Sequence, residues 1–397
     1  MHADLSIRKP ESMSRNPTQS HRRMALRLLV AAVLMVSAAA CEPSPPGGGP
    51  GASTGTTPPT AGATPPTAGG TATAGTGSKP GHVFVINLEN KGYNKVWGEG
   101  SEAPYLSQTL RSQGVLLSKY YGIAHNSNPN YLAQISGQAS NAMTRDDCPT
   151  YAAFQLTGTD SLGLAEGTGC VYPASVPTVA GQLSAAGKTW KGYMEDMGTP
   201  CRHPELGGKD SSQGAKVGDQ YATRHNPFMY FQAITSSPEC QSNVVDFSEL
   251  RGDLQSVSTT PNLSYISPNL CNDGHDNPCV DGTAGGLAAA DSWLSQQVPA
   301  ILDSPAFRQD GMLVITFDES EGKTVGPSGL LPGGTDGGRI GALVLSPLTA
   351  GGTTSDRAYN HFSLLASIED AFSLPRLGYA GAPGQNSFGG DVFNAGS

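Results

Sequence analysis

Five short stretches of the chain carry side chains that could do chemistry together. Glu89-Asn90 and Asp318-Glu319 are oxygen-rich pairs, each following an apolar run. Carboxylates and amides bind hard or borderline cations, so two such pairs delivered to one place would make a divalent metal site. Either pair alone is equally well explained as the cap of a turn. Ser127 lies in Ala124-His-Asn-Ser-Asn-Pro-Asn-Tyr131, two residues before Pro129 and just ahead of the apolar Leu132-Ala-Gln-Ile135. Proline favours a helix's first turn and serine its N-cap, so Ser127 reads as a residue at or near a helix N-terminus. Capping alone would account for it. The same position nevertheless turns backbone N–H groups and the positive end of the helix dipole towards an anion, which suits a serine that attacks phosphate. A metal beside the hydroxyl would activate it. Histidines complete the set: His275 with Asp273 in Asn272-Asp-Gly-His-Asp276, His361 after Asn360, and His125 two residues before Ser127. A lone histidine is more often structural than functional. An Asp-Gly-His loop flanked by Cys271 and Cys279 is better placed than most to be a site.

The elements needed to position these residues follow from hydrophobic patterning. His82–Leu88, Thr189–Met194, Leu263–Ser267, Met312–Phe317 and Gly341–Ser346 read as short strands. Ala103–Gln113, Pro129–Gly137, Val176–Ala186 and His361–Phe372 read as helices, the last with Phe362, Leu365, Ile368 and Phe372 on one stripe. Strands that are apolar on both faces and alternate with helices imply an α/β fold: a three-layer α/β/α sandwich with a mostly parallel central sheet. Ligands in such folds bind at the carboxyl ends of the strands, where the candidate residues fall. The long connections between residues 140 and 262 show no readable periodicity.

The first eighty residues are of another kind. Arg22, Arg23 and Arg27 precede an uncharged run, Leu28–Ala40, which is too short to span a bilayer and ends in small residues before Cys41. Residues 1–40 therefore read as an export signal. Cys41 fits an acylation site, which would make the product a cell-surface lipoprotein; without acylation it would be secreted. Residues 41–80 are rich in Pro, Gly and Thr and repeat Thr-Pro-Pro-Thr-Ala-Gly, a low-complexity tether without the apolar content to fold. Residues 81–397 form the candidate catalytic domain. Cleavage before Cys41 leaves 18 basic and 31 acidic residues. Such a surface repels polyanions and argues against nucleic acid as a partner. Six cysteines remain, at 148, 170, 201, 240, 271 and 279, and in an oxidising compartment they should pair. Of the connectivities open to six cysteines, neighbour pairing (148–170, 201–240, 271–279) closes the shortest loops. None has the spacing of a zinc ribbon.

Several stretches together carry a family resemblance: Glu89-Asn90 with Tyr93, Ala103-Pro-Tyr-Leu106, His125-Asn-Ser-Asn-Pro-Asn-Tyr-Leu132, Tyr193-Met-Glu-Asp-Met197, Tyr221 with Arg224-His-Asn-Pro-Phe228, Asn272-Asp-Gly-His-Asp276, Thr316-Phe-Asp-Glu-Ser320 and Asn360-His-Phe-Ser-Leu-Leu365. In this order they resemble the bacterial phosphoesterase family, which contains secreted acid phosphatases and non-haemolytic phospholipases C and belongs to the alkaline phosphatase superfamily. The resemblance spans about residues 81 to 380. It implies an alkaline-phosphatase-like fold and a metal-dependent phosphoesterase, most like the compact acid phosphatases acting on phosphomonoesters through a phosphoserine. By it, Glu89, Asn90, Asp318 and Glu319 would hold the metal (Zn, Ca, Mn or Fe), and Ser127 would accept the phosphoryl group. Asp273, His275, His361 and His125 would line the phosphate, with Asp273 close enough to count among the metal's candidate ligands. The substrate would be a small phosphate ester or a phospholipid headgroup, and the membrane would be reached only through the N-terminal anchor. The alternatives are a phospholipase C-like phosphodiesterase, a sulfatase and a non-enzymatic binding lipoprotein. Ser127-Asn-Pro-Asn-Tyr131 is partly similar to the sulfatase signature, but Tyr131 stands where that signature requires arginine.

Overall fold

Runs of β-branched and aromatic residues such as His82-Val-Phe-Val-Ile-Asn-Leu88 have no solvent face, and the fold gives them none: every residue of that run is buried. The computed structural model describes residues 79–393; the export segment, Cys41 and nearly all of the tether lie outside the described residues. In chain order the strands are β1 (His82–Leu88), β2 (Val115–Tyr121), β3 (Gln155–Thr159), β4 (Ala165–Thr168), β5 (Trp190–Met194), β6 (Val244–Asp246), β7 (Leu263–Ser267), β8 (Gly311–Phe317), β9 (Ala342–Leu345) and β10 (Thr353–Asn360). Eight of them form one sheet in the order β10-β2-β9-β8-β1-β7-β5-β6, while β3 and β4 make a separate hairpin. Every neighbouring pair in the large sheet is parallel except the two that involve β9.

Helices cover both faces, as the pleat of β1 shows. Phe84 and Asn87 point to opposite sides of a strand with period two. Phe84 meets the ring of Phe307, in the helix Pro305–Asp310, at 6.4 Å. Asn87 accepts a hydrogen bond from Gln134, in the helix Ser127–Ser136, at 3.3 Å. The sheet is thus the middle of a three-layer α/β/α sandwich. The helix His361–Phe372 packs on the Ser127 helix, and its start is fixed by a capping box between Asn360 and Ser363.

The expected strands and helices are present with ends shifted by a few residues. Ala103–Gln113 differs: it winds as a π-helix over Tyr105–Leu110 and then as a 3₁₀ turn over Arg111–Gln113. The carboxylate of Asp291 accepts from Tyr105 N and Leu106 N and anchors this irregular start. The three disulfides follow the neighbour pairing, Cys148–Cys170, Cys201–Cys240 and Cys271–Cys279. No helix among the described residues is long and apolar enough to cross a membrane.

Candidate active site

Adjacent parallel strands release their chains side by side, and here backbone bonds tie three exits together. Leu88 pairs with Phe317 at the ends of β1 and β8. Just beyond, Asp318 N donates to Leu88 O and Glu89 N donates to Asp273 O, each at 2.9 Å. These bonds set Glu89, Asp318 and Asp273 around one point, all three with no exposed surface.

Ser127 arrives from β2. The loop before it is folded by Asn130, whose Oδ1 accepts from Ile123 N and Ala124 N and whose Nδ2 donates to the carbonyls of Ala124 and Asn126. Ser127 is the first residue of its helix, one place inside the N-cap. Its hydroxyl does not cap. It donates to Glu89 Oε2 at 2.9 Å. Tyr131, one turn on, donates to Glu89 Oε1 at 2.6 Å. Asn90, in a left-handed conformation (φ 54°), donates through its side chain to Glu89 Oε2 and through its backbone to Asp318 Oδ1, each at 2.9 Å.

His225 completes the cluster. It lies on the long excursion after β5 and stacks its ring on Tyr131, with centroids 5.1 Å apart. Its Nε2 is 3.3 Å from Glu89 Oε1 and its Nδ1 is 3.1 Å from Asp273 Oδ2. Neither nitrogen makes a hydrogen bond, and Asp273 Oδ2 and Asp318 Oδ2 are likewise buried without a partner. Buried polar atoms are normally paired, so unpaired ones on His225, Asp273 and Asp318 within one buried acidic cluster fit a cation. Glu89, His225 and Asp273 offer ligand atoms that all lie within 4.8 Å of one another, a group that can hold a metal ion.

The remaining expected residues lie around this cluster. Glu319 faces His125 Nδ1 in a short contact, and His125 Nε2 donates to Thr324 O at 2.9 Å. Burial, then the charges of Asp318 and Asp147, pushes Glu319 up to about 10, so its proton stays within that pair. His275 is held through Nδ1 by Asp276 at 2.7 Å, and its backbone N–H donates to Asp273 Oδ1 at 2.7 Å. The loop turns there through Gly274 (φ 93°), a conformation that a side chain would strain. His361 lies behind the site. Its Nε2 donates to the backbone carbonyl of Asp318 at 2.6 Å, and its Nδ1 accepts from Tyr120 and Gln134, both at 3.2 Å. Both ring nitrogens are therefore engaged within the fold, and the ring supports the backbone at Asp318.

Electrostatically the centre is overloaded with acid. Burial first, and then Asp318 and Asp273, raises Glu89 well above the usual carboxylate range; burial does the same to Asp273 and takes Asp318 up to about 6. His225 is driven towards its neutral form by burial, then by Arg224 and His275. Lys91 brings a cation near, bonding Gly274 O at 2.7 Å and Glu89 O at 3.3 Å. The place expected for an anion at the helix N-terminus is taken by Asp147, whose Oδ1 accepts from Asn128 N at 2.8 Å.

Residues 99–375, which carry Ser127, His225, Asp273 and Asp318, match the Phosphoesterase family. The chain belongs to that family. Among its relatives in the phosphoesterase family, an acid phosphatase of Aspergillus fumigatus is 27% identical over 302 residues, covering 74% of this chain and 58% of its own. A phosphatidylinositol-3-phosphatase of Mycobacterium tuberculosis is 25% identical over 299 residues, covering 75% of this chain and 79% of its own. The chain spans less than two thirds of the length of the fungal acid phosphatases that it matches. A solved structure of a protein in the alkaline phosphatase superfamily from Vibrio parahaemolyticus covers 77% of this chain and 71% of its own at 11% identity, with a TM-score of 0.45.

Proposed function

We propose that this phosphoesterase-family protein is a metal-dependent phosphomonoesterase that works through a phosphoserine at Ser127. The observation that carries the reading is the hydrogen bond from Ser127 Oγ to the buried Glu89 at 2.9 Å, where Glu89, His225 and Asp273 offer ligand atoms within 4.8 Å of one another. Glu89, Asp318, Asp273 and His225 would hold the ion, with Asn90 alongside. The imidazole in this donor set favours Zn, Mn or Fe over Ca, which prefers oxygen ligands only. A bound divalent cation would supply charge neutralisation at the phosphate and lower the pKa of the serine hydroxyl.

The chain's own groups then divide the remaining work. Ser127 Oγ gives up its proton along its bond to Glu89 and forms the new bond to phosphorus as the ester oxygen leaves. The departing alcohol takes its proton from the His125–Glu319 pair, where burial retains one. Water then cleaves the phosphoserine with those roles reversed. His361 acts by fixing Asp318, and His275 stands at the rim, where a substrate's leaving group could meet it.

The relatives' names point to phosphate esters, both small molecules and a phosphoinositide headgroup. An exported enzyme, lipid-anchored at Cys41 or secreted, is supported by the three disulfides. The test compares the protein, exported so that its disulfides form, with Ser127→Ala on p-nitrophenyl phosphate and p-nitrophenyl sulfate, before and after chelation. Phosphate release that is lost in the variant and with chelator is expected. Activity that survives Ser127→Ala would sink the phosphoserine mechanism, and sulfate release would favour the sulfatase reading.

A further inference from the structure

The stretch Tyr193-Met-Glu-Asp-Met197 stands in the family resemblance, yet the chemistry at Ser127 makes no use of it. It leaves the sheet at the end of β5, beside β7. Glu195, its third residue, is set between the loop that follows β7 and the helix Gly286–Asp303. Its Oε2 accepts from Asn269 N at 2.9 Å and from Asn272 Nδ2 at 3.0 Å. Its Oε1 accepts from Asn272 Nδ2 and from Trp293 Nε1, each at 3.0 Å. All these donors are neutral N–H groups, an arrangement that suits a carboxylate anion. Burial raises the pKa of Glu195, and the bonds from Asn269, Asn272 and Trp293 oppose that rise.

The residues that Glu195 grips belong to the loop that carries Asp273 and His275. Asn269 Oδ1 accepts from Cys271 N at 3.1 Å and from Asn272 N at 2.9 Å, and Asn269 O accepts from Asp273 N at 2.8 Å, so residues 269–273 form one closed turn. Asp196 adds a hold on the same turn, accepting from Asn269 Nδ2 at 2.9 Å. At its far end Asp273 accepts from His275 N through Oδ1 and from Glu89 N through its carbonyl. A second line of bonds runs from the backbone of Glu195: its N–H donates to Ser267 O at 3.0 Å, and Ser267 Oγ donates to His225 O at 2.8 Å. Asp273 and His225 come from different loops, and Glu195 is joined to both through one intervening residue.

We propose that Glu195 is a positioning residue for the metal centre: through Asn269 and Asn272 it holds the turn 269–273 so that Asp273 meets Glu89 and His225 at ligand spacing, and it thereby sets the affinity for the divalent ion. The inference rests on the reading of Glu89, His225 and Asp273 as metal ligands. Ligands brought together from separate loops keep their spacing only as well as their supports do, and outer supports typically govern metal affinity by 10- to 100-fold. A carboxylate is needed for the task. Glutamine has a single oxygen, so its NH2 would face the Trp293 indole N–H on one side or the Asn269 backbone N–H on the other, donor against donor. The turn would then have to shift to relieve the clash, and Asp273 would shift with it.

Calorimetric titration of Zn, and separately of Mn, into chelator-stripped protein well below its melting temperature tests this on Glu195→Gln. The dissociation constant should rise roughly tenfold or more. Asn272→Ala removes the side chain that Glu195 grips and leaves the bonds from Asn269 and Trp293 in place, so it serves where Glu195→Gln does not fold; it should weaken binding in the same direction. The double variant should lose less than the sum of the two single losses, because both changes cut one link. Additive losses would overturn the proposal. So would unchanged metal affinity in either variant, and a lowered melting temperature beside it would make Glu195 a support of the fold alone. Turnover of p-nitrophenyl phosphate by the same samples keeps the two readings apart. Weaker metal binding by the variant, in a protein that turns nothing over, would uphold the positioning and sink the phosphatase mechanism; an active enzyme whose metal affinity ignores Glu195 would do the reverse. A wild-type protein that takes up neither Zn nor Mn would overturn both.

Discussion

Replacing Tyr131 by phenylalanine removes a single oxygen from the centre of the site. That hydroxyl donates to Glu89 Oε1 at 2.6 Å, and neither residue has any exposed surface. The phenylalanine ring can keep its stack on His225, so no cavity larger than the missing hydroxyl opens. What is lost is a short hydrogen bond that favours the charged form of Glu89, the form able to bind a cation. After the change, His225 Nε2 still lies 3.3 Å from Glu89 Oε1 but makes no hydrogen bond to it, so it does not replace the lost donor. A buried bond to a charged group contributes about 1.5–3 kcal/mol, equivalent to roughly a 10- to 150-fold loss in kcat/KM. The divalent-ion concentration needed for half-maximal activity should rise by a similar factor, while the melting temperature moves by only a few degrees. Steady-state kinetics on p-nitrophenyl phosphate across a metal titration reads both numbers. A variant within threefold of wild type in both would refute the assignment of Glu89 as the group that joins the serine to the metal.

Three further outcomes are expected. Glu369, buried at the end of the His361 helix with Oε2 unpaired, is raised from 4.5 to about 9, chiefly by burial. It folds protonated, so the stability it confers is complete below about pH 4.5 and is lost as pH rises towards 9; melting curves from pH 4 to 9 should slope downward in wild type and flatten in Glu369→Gln, and parallel slopes would count against it. Replacing Cys271 and Cys279 together by serine opens a short loop worth roughly 2–3 kcal/mol and frees Asp273 and His275, so kcat/KM should fall even well below the melting temperature; unchanged kinetics there would remove that loop from the site. Chelator-stripped protein should melt lower than protein with Zn or Mn, by about 2.7 kcal/mol at a hundredfold excess over Kd. That gap should shrink as pH falls and the carboxylates are protonated; a melt blind to both chelator and metal would leave the cluster without a resident ion.

The central sheet was legible because its strands are apolar on both faces and short. Leu263–Ser267 and His361–Phe372 emerge with the expected bounds. β2 and β10 were not read. β2 carries Ser118 and Lys119 in mid-strand, and β10 mixes Thr, Ser, Asp and Arg with a register shift between Ser355 and Ala358, as an edge strand can. The helix Gly286–Asp303 begins among glycines without a capping side chain and carries Pro299 inside, which removes the usual start signal. Between residues 140 and 262 order comes from two disulfides and from buried polar anchors such as Asp210, which binds Ser212 and Gln213. Such anchors leave no periodic trace in a sequence.

His225 was missed as a candidate ligand for the same reason: it lies in that stretch, in a 3₁₀ turn, where only the Arg224-His-Asn-Pro-Phe228 motif marks it. Its importance appears once charges are counted in space. Glu89, Asp273 and Asp318 are buried together, and the protein's own cations do not balance them: Lys91 reaches only backbone carbonyls, and Arg224 pairs with Asp147. Burying carboxylates at such spacing costs several kcal/mol each unless charge or protons compensate. The protein alone can compensate only with protons, which is what the raised Glu89 and Asp273 express. An uncharged core of the same shape would be more stable, so the cluster makes physical sense as a place where one divalent ion replaces those protons. The unpaired His225 would then supply the neutral ligand that three carboxylates by themselves lack.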